Sequence, residues 1–177
     1  MLVRREGVRD QRAEFVEFYE TNKDACLRAI AGSVVDRHLA EELAAEAFAR
    51  AWATWPRVSR HPSPAGWVVR TALNTRVSWW RRRRREVPLA AHEPATSDAS
   101  RYGIDRDVMV ALGNLPSRQR EVITLRLLLD LDTETTAKVL GIAPGTVTAH
   151  LSRAIRALRR GLSSTIPDHN ITEVTHP

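Results

Sequence analysis

Apolar residues return at intervals of three and four through most of the chain, and nowhere do they alternate with polar ones long enough to predict a strand. Phe15, Phe18 and Tyr19, then Cys26, Leu27 and Ile30, line one face of a first helix running from about Ala13. Asp36 is placed to cap a second helix, with Leu39, Leu43, Ala47 and Trp52 as its buried stripe and Pro56 as its end. The stretch RVSRHPSPAG, residues 57 to 66, carries two prolines, two serines and a glycine and reads as a loop. A third helix follows from Trp67, with Val69, Leu73, Val77 and Trp80 on one side.

Past Glu86 the period dissolves. VPLAAHEPATSDASRYGID, residues 87 to 105, is rich in Ala, Ser and Pro and reads as a flexible linker. Helical spacing resumes with Val108, Leu112 and Leu115, then a helix from Ser117 to Leu129 carrying Val122, Ile123, Leu127 and Leu128. Two more helices are predicted, Asp132 to Leu140 and Pro144 to about Leu162, before a tail from 163 to 177 without period. The expected fold class is therefore all-α: two small helical domains, 13 to 86 and 106 to 162, joined by the linker 87 to 105.

Residues 132 to 160, DTETTAKVLGIAPGTVTAHLSRAIRALRR, have helix-turn-helix spacing. Asp132 caps a short helix with Thr136, Val139 and Leu140 inward, Ala137 permits a close crossing, and Gly141 suits the left-handed residue that ends it. Pro144 fits the first turn of the next helix, whose buried stripe is Val147, Leu151, Ile155 and Leu158. Outward fall Thr146, Thr148, Ala149, Ser152, Arg153 and Arg156, a set of hydroxyls, a methyl and guanidiniums able to enter a major groove. No acidic residue lies between Glu134 and Asp168, so a polyphosphate could run along this helix unopposed.

Charge sharpens the picture. Lys plus Arg exceed Asp plus Glu by 27 to 21, giving +6 and a pI of about 10.6. Only Lys23 and Lys138 are lysines; the rest is guanidinium, which forks onto phosphates and base edges, although a codon bias towards Arg would look the same. Arg81 to Arg85 follow Trp79 and Trp80 directly, and Arg70, Asn74, Arg76 and Ser78 interleave with Trp67. Aromatic faces beside phosphate-binding groups suit opened, single-stranded DNA, while burial in the core remains the other reading of the tryptophans. HLAEELAAEAFARAW, 38 to 52, instead turns Glu41, Glu42, Glu46 and Arg50 outward, a face better matched to another protein than to DNA.

Other chemistry is thinly supported. The six histidines are scattered, no His/Cys cluster has metal-ligand spacing and no glycine loop cradles a phosphate, so no metal, no cofactor and no enzyme activity is expected. Single Cys26 fits a small buried side chain in a reduced, cytoplasmic setting. No apolar run approaches a membrane span.

Taken in order, these stretches resemble the extracytoplasmic-function (group four) class of bacterial RNA polymerase sigma factors of the sigma-70 family, over about residues 13 to 162. AEELAAEAFARAW is similar to the acidic helix of region two that docks on the polymerase clamp, and PAGWVVRTALNTRVSWWRRRRR to the segment that reads the melted −10 element. Residues 115 to 160 are similar to region four, whose helix-turn-helix reads the −35 element. The resemblance implies a promoter-specificity factor whose partners are core RNA polymerase, at its clamp and flap, and promoter DNA, and it leaves open an anti-sigma protein. It puts Glu42, Glu46 and Arg50 at the clamp. It puts Ser59, Arg60, His61 and Ser63 in a loop accepting a flipped base, with Arg70, Asn74, Trp79, Arg81, Arg82 and Arg83 along the −10 strand. Thr148, Ala149, Ser152, Arg153 and Arg156 fall on the −35 bases, and Arg118, Arg120 and Thr146 near phosphates. Ala45 stands where the family often has glutamine, Thr136 where it is usually aliphatic, and Thr148 and His150 where it is often basic, so the promoter sequence does not carry over. The alternative is a free-standing regulator that dimerises and binds paired half-sites about one helical turn apart.

Overall fold

The computed structural model of the protein describes residues 3–34, 36–86 and 104–163, and for 3–9 and 77–86 the helical backbone alone. Among these residues it is all-α. The helices are α1 (Val3–Val34), α2 (Arg37–Ala53), α3 (Trp55–Val58), α4 (Pro64–Glu86), α5 (Arg106–Gly113), α6 (Ser117–Leu128), α7 (Thr133–Leu140) and α8 (Pro144–Ser163). The predicted linker, save Ile104 and Asp105, and the tail after Ser163 lie outside the described residues.

Short polar side chains set most of the boundaries. Asp36 accepts the Leu39 N–H at 3.1 Å to open α2, Asp105 that of Asp107 at 2.7 Å to open α5, and Asp132 that of Thr135 at 2.6 Å to open α7. Gly141, at φ 66°, takes the left-handed position that ends α7, and the Ile142 N–H reaches back to the Ala137 carbonyl at 3.1 Å. The segment 57 to 66 is less of a loop than predicted. Pro56 does not end α2 but sits in the first turn of α3, and α4 starts at Pro64, before Trp67, because Ser63 caps it. The Ser63 Oγ accepts the Gly66 N–H at 3.0 Å, and the proline that follows has no N–H to leave unpaired.

Helices α1, α2 and α4 bury Cys26, Ile30, Leu43, Ala47, Val68, Val69 and Ala72 between them. One end of this bundle is aromatic. Phe15 meets Trp55 edge-on at 5.1 Å, Phe18 lies 4.9 Å from the same ring, and the Trp55 indole N–H donates to Glu14 at 3.1 Å. A second cluster, Met109, Leu112, Leu115, Ile123 and Ala154, joins α5, α6 and α8.

The two units are not held apart. Val122 and Leu125 of α6, Ala137, Val139 and Leu140 of α7, and Val147 of α8 belong to the same apolar core as the α1, α2 and α4 residues. This packing explains two departures from the predicted stripes. Leu127 is 63% exposed, and Leu125 takes the inward place, because docking on α1 decides which side of an almost wholly apolar turn is covered. Trp52 is 43% exposed rather than buried; Phe15 covers only part of it, at 5.2 Å.

Candidate nucleic-acid interface

Helix α8 is built as a presented helix. Val147 and Ala154 are buried and Leu151, Ile155 and Leu158 half-buried on the side that packs against α6 and α7. At about 100° per residue, Thr146, Thr148, Ala149, Ser152, Arg153 and Arg156 occupy the opposite arc, and all six are exposed. The predicted upstream-reading set is thus brought together on one continuous surface. The Thr148 hydroxyl donates back to the Pro144 carbonyl at 3.3 Å, a contact that a base or phosphate can replace.

Sequence reasoning left out part of this face. Arg153, Arg156, Arg159 and Arg160 line an open depression with Ala157, and the far wall is Pro116 and Gln119 from the start of α6. Gln119 lies between two arginines already singled out, and its amide can both donate and accept. The signal for it was spatial, since α6 and α8 pack against each other.

The predicted phosphate contacts on α6 divide. Arg118 is exposed and pairs with Glu121 at 2.7 Å. Arg120 points elsewhere: its guanidinium donates to the Leu115 carbonyl at 2.8 Å, to Gly113 at 3.0 Å and to Ser33 of α1 at 3.2 Å. Burial, and then the neighbouring Arg76 charge, hold its pKa below the usual arginine value. In this arrangement Arg120 ties backbone together and is not presented on the α8 surface, a correction to its predicted place.

On the first unit, Arg60 and Asn74 are exposed, and Ser59, His61 and Arg70 half-buried. Arg70 and Asn74, four apart, share a face of α4. Ser63 is the exception: it is buried, and its hydroxyl is taken up by the α4 cap, so it shapes the loop instead of meeting a strand. The loop is further held by the Ser63 N–H, which donates to His61 Nδ1 at 3.1 Å. Trp79, Arg81, Arg82 and Arg83 fall on the helical backbone of α4; their side chains lie outside the described residues.

A third surface is acidic and aromatic. Glu42 and Arg50 are exposed on α2, and Glu46 pairs with Arg50 at 2.5 Å. Trp52, misread from sequence as core, and Tyr19, 37% exposed, sit on the same unit, with Tyr19 edge-on to Phe48 at 4.9 Å. An acidic rim around exposed rings is a surface for a protein partner rather than for DNA. Among the described residues no group of His, Cys, Asp and Glu could hold a metal ion, and no helix is long and apolar enough to cross a membrane.

Comparison with known proteins follows the same division. Residues 18–86 match the family model for sigma-70 region 2, and residues 105–158 that for sigma-70 region 4. The chain is 36% identical over 152 residues to the RNA polymerase sigma-E factor of Streptomyces coelicolor, covering 84% of this chain and 86% of that one. It is 35% identical over 154 residues to the sigma-E factor of Streptomyces antibioticus, at 85% and 86% coverage. Among solved structures, the sigma factor RpoE of Bartonella quintana, in complex with the anti-sigma factor NepR, superposes with a TM-score of 0.70 at 24% identity over 85% of this chain and 97% of that one.

Proposed function

Since the chain belongs to the extracytoplasmic-function class of sigma-70 RNA polymerase sigma factors, we propose that its three surfaces divide the work of a promoter-specificity factor among themselves. As a sigma factor it directs core RNA polymerase to promoters and helps open them. The exposed stripe Thr146, Thr148, Ala149, Ser152, Arg153 and Arg156 reads the −35 element as duplex, the hydroxyls and guanidiniums reaching base edges, with Arg118 and Gln119 on flanking phosphates. Ser59, Arg60, His61, Arg70 and Asn74 hold the opened −10 strand in a loop whose shape Ser63 maintains, and Trp79 and Arg81 to Arg83 continue that grip along α4. Glu42, Glu46 and Arg50, joined by Trp52, meet the polymerase clamp. The flap would receive the second unit. An anti-sigma protein, of the kind bound to the Bartonella relative, is a partner this reading accommodates.

The observation that carries the reading is the coincidence, in one chain and in this order, of the region-two unit and a helix-turn-helix whose reading arc is wholly exposed. The test is reconstitution: purified protein, bacterial core RNA polymerase and genomic fragments, with the 5′ ends of the transcripts sequenced. Starts that need both proteins and share a spaced two-part motif are expected. A protein that forms no complex with core yet shifts duplex DNA as a dimer would replace this reading with that of a free-standing regulator.

A further inference from the structure

The contact between the two units is a specific joint. The Ser33 hydroxyl near the end of α1 and the Thr124 hydroxyl of α6 lie 2.7 Å apart, both almost wholly buried. The Ser33 carbonyl beside them accepts from Arg76 of α4 at 3.3 Å and from Arg120 of α6 at 3.2 Å, so one acceptor is shared by a cation from each unit. Two glycines of the first unit are what let the second come this close. A methyl at Gly32 would meet Thr124 Cγ2 at 3.0 Å, Leu128 at 3.2 Å and Leu112 at 3.5 Å, every one of them a side chain of the second unit. At Gly66 it would meet Val139 at 2.7 Å and Leu131 at 3.2 Å across the joint, as well as Ser63. Leu128 to Leu131 also close one side of the groove against Pro62, Ser63, Pro64 and Ala65, next to the loop assigned to the −10 strand.

We propose that this packing is a self-latch: a resting state in which the chain folds its own −35-reading unit onto its −10-reading unit and cannot engage both promoter elements until the Ser33–Thr124 joint parts. The proposal rests on the sigma-factor reading for what the latch withholds, and on the geometry alone for its existence. The lengths require an opening. Elements centred about 25 base pairs apart, at about 3.4 Å of rise each, are separated by about 85 Å of duplex. A compact chain of this size has a radius of gyration of about 16 Å, hence a diameter of about 40 Å. Once parted, the units are joined by residues 87 to 105, whose covalent reach is at most about 65 Å, enough with the units' own widths to span the promoter. The joint also contains the means of its release. Two guanidiniums converge on one carbonyl, a repulsion eased by the negative end of the α1 dipole, and a nucleic-acid phosphate offers either of them a stronger partner.

The test locks and unlocks the joint in the full chain. Ser33→Cys with Thr124→Cys, in a Cys26→Ala background, is oxidised, its disulfide yield measured, and its transcription with core polymerase compared before and after reduction. A high yield, at least a tenfold loss of promoter-specific transcripts in the oxidised form, and recovery on reduction are expected. A disulfide that does not form, or an oxidised protein that transcribes as well as the reduced one, overturns the latch. Gly32→Leu, outside every reading surface, provides a second measurement: its radius of gyration by small-angle scattering should rise clearly above that of the parent chain. An unchanged radius also overturns the latch, including where the cysteine variant fails to fold. Should even the parent chain give no transcripts with core, the sigma reading fails, while disulfide yield and scattering still decide the latch.

Discussion

The Ser33–Thr124 pair allows the docking of the two units to be measured as a coupling energy. Each hydroxyl has one proton. Ser33 Oγ lies 2.8 Å from the Ala29 carbonyl and Thr124 Oγ1 2.9 Å from that of Arg120, so each has an acceptor on its own helix as well as its partner at 2.7 Å. Thr124→Val keeps the shape and removes one buried hydrogen bond, while Ser33 still donates to Ala29; the cost is about 1 kcal/mol. Ser33→Ala likewise leaves Thr124 its Arg120 carbonyl and costs about 1 kcal/mol. The double variant loses that same bond once, with no polar group orphaned, so it should cost about 1 kcal/mol rather than about 2. Equilibrium urea unfolding of the four proteins gives the cycle, provided their denaturant slopes agree. A coupling of about 1 kcal/mol is expected. Additivity to within about 0.3 kcal/mol, with equal slopes, is the behaviour of residues that do not touch, and it would refute the docked arrangement.

Three further outcomes are expected. Hydrogen bonds from the Thr135 backbone and hydroxyl hold the Asp132 carboxyl below its usual pKa, so its contribution is present above the ordinary carboxylate range and is lost as pH falls through the lowered value. Thermal melts should therefore separate wild type from Asp132→Ala at neutral pH and bring them together in strong acid; a gap independent of pH would count against the cap. Changing Thr148 or Arg153 should alter which upstream sequence is enriched from a randomised promoter pool, and unchanged enrichment would remove them from the base-reading set. Replacing Arg81 to Arg85 with alanine should weaken all promoters alike and lower the log–log salt slope by about 0.7 for each single-strand phosphate that is no longer neutralised; a weakening confined to one promoter sequence would point to base recognition instead.

Local rules carried the helix-turn-helix furthest. Asp132, Gly141 and Pro144 each act within a few residues of themselves, and so each stands in the structure as its type predicts. Thr136, unusual against the family's aliphatic preference, is fully buried yet satisfied, its hydroxyl donating to the Asp132 carbonyl at 2.7 Å. Ser63 was misassigned although its cap was readable: Ser-Pro before a helical run is a start signal, and the expectation of a DNA-contacting loop overrode it. Trp52 and Leu127 failed for a different reason. An apolar residue at the edge of a stripe is inside or outside according to what packs on that edge, and periodicity within one helix does not say what that is.

The same limit governs the arginines, where it matters most for function. Arg153 and Arg156 are exposed on the reading arc, while Arg120 is half-buried with three carbonyls around its guanidinium. One residue type therefore serves two opposed tasks, since the fork that grips a phosphate also gathers backbone carbonyls at a helix junction. Composition counts both kinds as positive charge available to DNA. Only burial separates them, and burial at Arg120 exists because Gly32 lets α6 approach α1. A glycine in the middle of a long helix, at a cost of roughly 0.5–1 kcal/mol relative to alanine, is thus the sequence mark of the interunit contact, and it becomes legible once Thr124 is seen against it. If the joint opens on promoter DNA, Arg76 and Arg120 are released together, and the charge counted from the sequence becomes available in full only in the working state.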